Sequence, residues 1–247
     1  MIETMGGKLK GRGEEGHQRM RPKAVLWDMD GTLVDSEREN AKHLAGALVH
    51  NFDLKIDNDD RQFIIGKSWV DIHENLNTKY QAYKWSLAQL IEGVNHHIES
   101  QGNPQKVRVL PGALSLLEMF ALAQIPMAVV TGSSRAEAKN ALNHFRVLKE
   151  CPLFAAEDVP TSKPDPLGYQ MAAERLGVET SSCLVFEDSE VGIAAAKSAG
   201  CRVVAVREGN FSSQDQSAAH VVIDSLESVN WLKMSYWMGQ KKWAGSS

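Results

Sequence analysis

Four short apolar runs recur along the 247-residue chain, and they constrain its fold more than any other feature. Runs of this length without polar interruption are typical of strands buried on both faces of a parallel sheet. Helical patterns begin between them, at Ala113, Ala136, Pro166 and Glu190. Strands that alternate with helices predict an α/β fold with a doubly wound parallel sheet, in which ligands bind outside the carboxyl ends of the strands. The runs are AVLW (24–27), IPMAVV (125–130), SCLVFE (182–187) and CRVVAV (201–206).

The segment 38–105 interrupts this alternation, because it is rich in helix formers and offers no apolar run of the strand type. We interpret it as a helical insertion, with QGNPQ (101–105) as the linker that returns to the core. The C-terminal WLKMSYWMG pattern predicts a last helix packed on the core, followed by a frayed tail. The predicted division is a disordered leader (1–20), an α/β core (21–37 and 106–235), a helical insertion (38–105) and a tail (236–247).

Charge and cysteine content exclude several classes of partner. The 27 Lys and Arg residues against 31 Asp and Glu residues give a net charge of -4, which does not suit the wrapping of nucleic acid phosphates. No apolar run approaches the roughly 20 residues that span a bilayer, and the leader lacks a signal-peptide core. The three cysteines lack the spacing of a zinc site or disulfide framework. We expect a cytoplasmic protein with no membrane or nucleic acid partner.

Acidic and small polar residues follow the apolar runs. Asp28 and Asp30 stand two apart after the first run, so both side chains can face one crevice. A paired carboxylate, hydroxyl groups, a lysine and a distal acidic pair suit phosphoryl transfer, with magnesium held by hard oxygen ligands. The other clusters are TGSS (131–134), KPDP (163–166) and the pair Glu187 and Asp188.

Taken in order, DMDGT, TGSS, KPDP and FEDSEVGIAAAKSAG resemble the motifs of the haloacid dehalogenase-like hydrolase superfamily. The resemblance covers about 23–225 and is closest to the branch of sugar phosphatases and β-phosphoglucomutases. It implies a Rossmann-like core with an inserted helical cap that closes over the site and excludes water. Four motifs in order are far more specific than a lone DxDGT.

The resemblance also implies roles for individual residues. Asp28 would be the nucleophile that forms an aspartyl-phosphate, and Asp30 would protonate the leaving oxygen and then activate water. Magnesium would bind the Asp28 carboxylate, the Asp30 main-chain carbonyl and Asp188, with Glu187 as a direct or indirect ligand. The phosphoryl oxygens would be held by Thr131, the Gly132 amide and Lys163, with a minor part for Ser133.

Less specific interpretations exist for several of these residues. Asp35 fits a turn or helix cap better than direct chemistry, and Ser133 and Ser134 could cap the following helix. Taken alone, Lys163 could be an ordinary exposed lysine, and Glu187 with Asp188 could be a solvated pair. Because the other motifs occur in the same sequence, the functional interpretation is favoured for Lys163, Glu187 and Asp188.

The segment IIGKSWVD (64–71) matches the position of the family's specificity loop. Gly66 would make this loop flexible and Lys67 would reach the substrate; a simple surface charge at Lys67 is an equal alternative. The five histidines of the insertion show no ligand spacing, so we expect them to be solvated or packed. They are His43, His50, His73, His96 and His97.

The reaction that fits best is magnesium-dependent hydrolysis of small phosphorylated metabolites, such as sugar or polyol phosphates, by a monomer or weak homo-oligomer. Dehalogenases and phosphonate hydrolases of the superfamily lack the carboxylate of Asp30. Mutases typically carry a histidine twelve positions after the nucleophile, where this chain has Asn40. A β-phosphoglucomutase-type mutase and a non-catalytic phosphometabolite-binding protein remain the alternatives.

Overall fold

A computed structural model describes residues 21–64, 69–80, 85–100, 107–210 and 213–239. The predicted leader, the predicted cap contacts Gly66 and Lys67, and the last eight residues lie outside these ranges. The predicted linker (101–105) does so as well. Within the described ranges, no helix is both long enough and apolar enough to cross a membrane.

Six parallel strands of the described chain form one sheet in the order β3-β2-β1-β4-β5-β6. This is the strand order of a Rossmann-like doubly wound sheet, and it confirms the predicted fold class. The four predicted apolar runs form the four central strands, where burial on both faces requires apolar side chains. The strands are β1 (Ala24–Trp27), β2 (Met127–Val130), β3 (Leu153–Phe154), β4 (Cys183–Glu187), β5 (Arg202–Val206) and β6 (Val221–Ile223).

The two edge strands, β3 and β6, are absent from the sequence prediction. They contain only two and three residues, and most of these are half-buried. A strand this short leaves no periodic pattern, and its pairing is decided by the neighbouring strand rather than by local sequence. The central strands therefore carry a sequence signal that the edges lack.

Helices connect the strands where the sequence predicts them. They are α5 (Ala113–Leu122), α6 (Arg135–Leu142), α7 (Leu167–Arg175) and α8 (Glu190–Ser198). Ser134 caps α6 and forms a capping box with Glu137, which confirms the capping interpretation of that serine. Ser189 caps α8 by accepting a hydrogen bond from the main-chain amide of Gly192.

Side chains of the sheet alternate between two apolar layers. On one face, Val25 and Trp27 pack with α5 and α6, and the Trp27 ring stacks on Phe186 with centroids 4.7 Å apart. On the other face, Ala24 and Leu26 pack against α7 and α8. Because both faces are covered, only the strand ends are left to form a polar site.

The region between β1 and α5 is helical, as predicted, and has a separate apolar cluster. Its first helix begins at Ser36 rather than at 38, because the Asp35 side chain accepts a hydrogen bond from the Arg38 amide and caps it. The capping interpretation of Asp35 is thus confirmed, while a separate cap domain stays a prediction. The helices are α1 (Ser36–His50), α2 (Asn58–Phe63), α3 (Trp69–Lys79) and α4 (Leu87–Ser100).

A last helix, α9 (Trp231–Gly239), packs on the core as predicted. Trp231 meets Phe120 edge to face with centroids 5.8 Å apart, and Met234 is fully buried. The helix continues past 235, where the sequence analysis ends the core, because Trp237 is only 7% exposed. The packed part of the chain therefore extends into the predicted tail.

Trp237→Ala is expected to lower the free energy of unfolding by about 3 to 5 kcal/mol, because truncation of a buried aromatic side chain leaves a cavity. The neighbouring Tyr236 is 66% exposed, so Tyr236→Ala is a matched control with little expected effect. Urea denaturation of both variants measures the difference. Equal losses in the two variants would show that α9 is not packed as described.

Candidate active site

A crevice of about 480 Å³ lies at the carboxyl ends of the central strands. Its walls come from the segments that follow β1, β2 and β4 and from the loop that follows β3. This is the place where doubly wound sheets bind their ligands. Most of the core site residues that the sequence predicts line it, among them Asp28, Asp30, Thr131, Gly132, Lys163 and Asp188.

The turn that follows β1 brings the first acidic residues into the crevice. The Asp28 amide still donates to the Phe186 carbonyl at 3.0 Å, so Asp28 continues the register of the sheet. Gly31 then has a φ of +80°, and a Cβ there would lie 2.2 Å from Oδ2 of Asp188. Only glycine allows both this backbone conformation and the close approach of the second acidic segment.

Lys163 lies between two buried carboxylates. Its Nζ donates to Oδ1 of Asp28 at 2.6 Å and to Oε1 of Glu187 at 2.8 Å. The carbonyl of Val130 accepts a third hydrogen bond at 3.2 Å. Because the Lys163 side chain is only 15% exposed, the interpretation as an ordinary surface lysine is wrong.

Glu187 is fully buried, and both of its carboxylate oxygens accept several hydrogen bonds. Oε1 accepts from Lys163 and from the Tyr169 hydroxyl at 3.2 Å. Oε2 accepts from the amides of Asp188 and Ser189, each at 2.8 Å, and from the Ser189 hydroxyl at 3.0 Å. The interpretation as a solvated pair is therefore wrong. These contacts favour an indirect role for Glu187, in which it holds the lysine and the Asp188 main chain.

Tyr169 is a site residue that the sequence analysis misses. It is fully buried on α7, and its ring lies 5.3 Å from Nζ of Lys163. The sequence offered one indication of its role. Tyr169 lies six residues after Lys163, within the first turn of the helix that follows KPDP. An aromatic residue there matches an ordinary core position, so the sequence alone did not distinguish a packing role from a role in the site.

Burial and neighbouring charges together raise the pKa values of both Asp28 and Lys163. Burial first and the charge of Glu187 second raise the pKa of Asp28 to about 8, although Lys163 acts in the other direction. Burial by itself would lower the pKa of Lys163. The charges of Asp28 and Glu187 outweigh that effect, so the pKa of the lysine lies well above its ordinary value. The lysine therefore stays charged beside the carboxylates.

Two hydroxyl groups orient Asp30. Its Oδ2 accepts hydrogen bonds from Thr131 at 3.0 Å and from Ser133 at 2.6 Å, while the Ser133 amide donates to the Thr131 hydroxyl. The sequence analysis assigns these hydroxyls to phosphoryl binding or to a helix cap. In the structure the two hydroxyls hold Asp30, because β2 ends directly beside the turn that follows β1. Phosphoryl binding by Thr131, Gly132 and Ser133 stays a prediction.

Three buried carboxylates beside the crevice lie close enough together to hold a metal ion. Oxygen atoms of Asp28, Glu187 and Asp188 lie within 4.8 Å of one another. Oδ2 of Asp28 is buried and has no hydrogen-bond partner among the described residues, so one hard oxygen stays available to a cation. The Thr32 hydroxyl lies 3.4 Å from Oδ1 of Asp188. The predicted Asp30 carbonyl ligand stays a prediction.

Lys163→Met is expected to lower the free energy of unfolding by about 3 kcal/mol or more, because loss of one partner leaves buried charge uncompensated. Adding Asp28→Asn should restore part of that loss. The exposed Lys139→Met is the matched control. Urea denaturation with a chelator present makes the measurement. An effect no larger than that of Lys139→Met would contradict the described ion pairs.

Relatives of this chain cover most of its length. The family model of haloacid dehalogenase-like hydrolases matches residues 25–206. Validoxylamine A 7'-phosphate phosphatase from Streptomyces hygroscopicus subsp. limoneus is 31% identical over 210 residues, which cover 85% of this chain and 96% of that protein. Hexitol phosphatase A from Escherichia coli (strain K12) is 32% identical over 224 residues, which cover 85% and 94% of the two chains.

A solved structure shares the fold. The β-phosphoglucomutase of Clostridium difficile superimposes with a TM-score of 0.61 at 24% identity, over 88% of this chain and 97% of that one. The family match itself spans all of the predicted site residues of the core, from Asp28 to Asp188. The resemblance inferred from the motifs is confirmed, and the chain belongs to the haloacid dehalogenase-like hydrolases.

Proposed function

We propose that this hydrolase is a magnesium-dependent phosphatase of small phosphorylated metabolites, such as sugar or polyol phosphates, and that it acts through an aspartyl-phosphate on Asp28. One observation carries the proposal. Asp28 has one oxygen paired with Lys163 and the other without a hydrogen-bond partner among the described residues, while Asp30 is held beside it by two hydroxyls. A carboxylate that has only a lysine as its partner and lies beside an oriented carboxyl group suits a nucleophile with an acid-base partner.

The reaction would occur in two displacements. In the first, a carboxylate oxygen of Asp28 bonds to phosphorus as the ester bond breaks, and the leaving oxygen takes a proton from Asp30. In the second, Asp30 takes a proton from water, whose oxygen bonds to phosphorus and releases phosphate from Asp28. Thr131 and Ser133 hold Asp30 for both proton transfers. Lys163 offsets negative charge at Asp28 throughout.

Magnesium would be held by the carboxylates of Asp28 and Asp188, with the Asp30 carbonyl as the further ligand implied by the family. A bound ion supplies positive charge beside the phosphoryl group. Glu187 would act indirectly, because five donors already contact its oxygens. All three acidic residues, Asp28, Glu187 and Asp188, are buried, which is consistent with these roles at one metal site.

The named relatives support the substrate class. The two phosphatases carry validoxylamine A 7'-phosphate and hexitol in their names, and both align over most of this chain. In the core part of the crevice, Lys163 is already paired with two carboxylates. The two carboxylates already offset the charge of this lysine, so it would not attract a second anionic group of the substrate. A substrate with one phosphate and an uncharged polar remainder therefore suits these surroundings. We further propose that residues 38–105 form the cap and that Gly66 and Lys67 contact the substrate.

Purified protein is expected to release phosphate from members of a panel of sugar and polyol phosphates only when magnesium is present. Asp28→Asn should reduce this release to background, and Asp30→Asn should lower kcat by about 10²- to 10⁴-fold, because the proton-transfer group is lost. Asp224→Asn is the control, since that side chain is 86% exposed. Retained activity in Asp28→Asn would contradict the nucleophile assignment.

The same panel separates the alternatives. A mutase would convert one hexose phosphate into an isomer in the presence of a bisphosphate activator, with little release of phosphate. A non-catalytic binding protein would bind panel members without turnover. Either outcome would overturn the proposed phosphatase.

Magnesium is expected to raise the Tm of the wild-type protein, because a cation relieves repulsion among the buried carboxylates and binds only the folded state. A chelator should reverse the shift. Asp188→Ala should remove most of it, because a methyl group cannot replace a hard oxygen ligand. An equal shift in Asp188→Ala would place the ion elsewhere.

A further inference from the structure

Gln216 joins the ends of two strands beside the acidic site. It lies between β5 and β6 and is only 7% exposed. Its Nε2 donates to the Asp188 carbonyl at 2.7 Å and to the Val206 carbonyl at 2.9 Å. Neither the motifs nor the reaction described above gives this residue a role.

The position of these two carbonyls explains why a side-chain amide is needed there. The paired residues of β4 and β5 end at Glu187 and Ala205, so Asp188 and Val206 lie beyond the last pair. A carboxamide carries two N–H donors on one nitrogen and can bridge two acceptors. Gln216 thus adds a side-chain link between β4 and β5 where the main-chain ladder has ended.

Side chains consequently hold both polar main-chain groups of Asp188. Its amide donates to Oε2 of Glu187 at 2.8 Å, and its carbonyl accepts from Gln216. The main chain sets where a short side chain such as aspartate can point. These two contacts therefore hold the main chain from which the Asp188 carboxylate projects.

The same connection contacts the first acidic turn. Gly209 is buried, and a Cβ there would lie 1.6 Å from the Gly31 carbonyl oxygen. Gly31 in turn packs against the Asp188 carboxylate. The described parts of the β5–β6 connection (207–210 and 213–220) thus support both acidic segments of the site.

We propose that Gln216 is a positioning residue that holds Asp188 in the orientation required for magnesium. The inference rests on the proposed function, since it concerns the same metal site. Loss of the two donors would leave two main-chain carbonyls without this partner and would let the Asp188 segment move. Magnesium affinity would then fall although every ligand is still present. Outer partners of metal ligands have effects of this kind.

Gln216→Met tests the proposal, because methionine has similar length and no N–H donor. The magnesium concentration that gives half-maximal phosphatase activity is expected to rise about 10- to 100-fold, with kcat at saturating magnesium close to wild type. Calorimetric titration with magnesium alone should show the same loss of affinity without substrate. Gln216→Glu, which keeps the shape of the side chain, should show it as well and serves if the methionine variant does not fold.

Two controls separate positioning from general destabilisation. Gln170→Met makes the same change at an exposed position and should bind magnesium like wild type. Met234→Ala weakens the core at α9, away from the crevice, and should lower Tm without changing magnesium affinity. If Gln216→Met and Gln216→Glu bind magnesium as tightly as Met234→Ala does, Gln216 is only a structural residue and the proposal is wrong.

Asp188→Asn distinguishes failure of this inference from failure of the proposed function. Loss of magnesium binding in Asp188→Asn, with wild-type affinity in both Gln216 variants, would overturn the positioning role alone. Wild-type affinity in Asp188→Asn would overturn the proposed metal site, and the role of Gln216 with it.

Discussion

The ion pairs of Lys163 with Asp28 and Glu187 are the interaction on which the rest of the site depends. The two carboxylates follow or end neighbouring central strands, β1 and β4, and both are almost completely buried. Two buried negative charges at adjacent strand ends would be costly without a cation between them. The lysine offsets that cost by entering from the loop after β3, so folding of the core also assembles the site.

Further hydrogen bonds give each acidic residue different surroundings. Asp30 accepts from two hydroxyls, which keep it beside the crevice, while Asp28 keeps one oxygen without a partner among the described residues. Glu187 accepts from five donors and Asp188 is held through its main chain. In the proposed reaction, these distinct surroundings would let similar groups act as a nucleophile, an acid-base group and metal ligands.

The central sheet could be predicted from sequence because burial on both faces leaves uninterrupted apolar runs, and the motif residues could be placed because strand ends meet at one edge. The short strands β3 and β6 left no such pattern. Tyr169 was missed because an aromatic residue on a helix matches an ordinary core position, and Gln216 because a single glutamine in a strand connection belongs to no motif. The sequence predicted that Thr131 and Ser133 lie at the site, but it did not predict that their hydroxyls donate to Asp30.

Trapping the covalent intermediate tests the central claim most directly. In Asp30→Asn, p-nitrophenyl phosphate should still phosphorylate Asp28, because its leaving group needs little protonation, whereas hydrolysis lacks its base. Acid quenching, borohydride reduction and peptide mass spectrometry should then find residue 28 converted to homoserine. The double variant with Asp28→Asn should give no such product. Phosphate release without any reduced residue at 28, or reduction at another residue, would contradict the account.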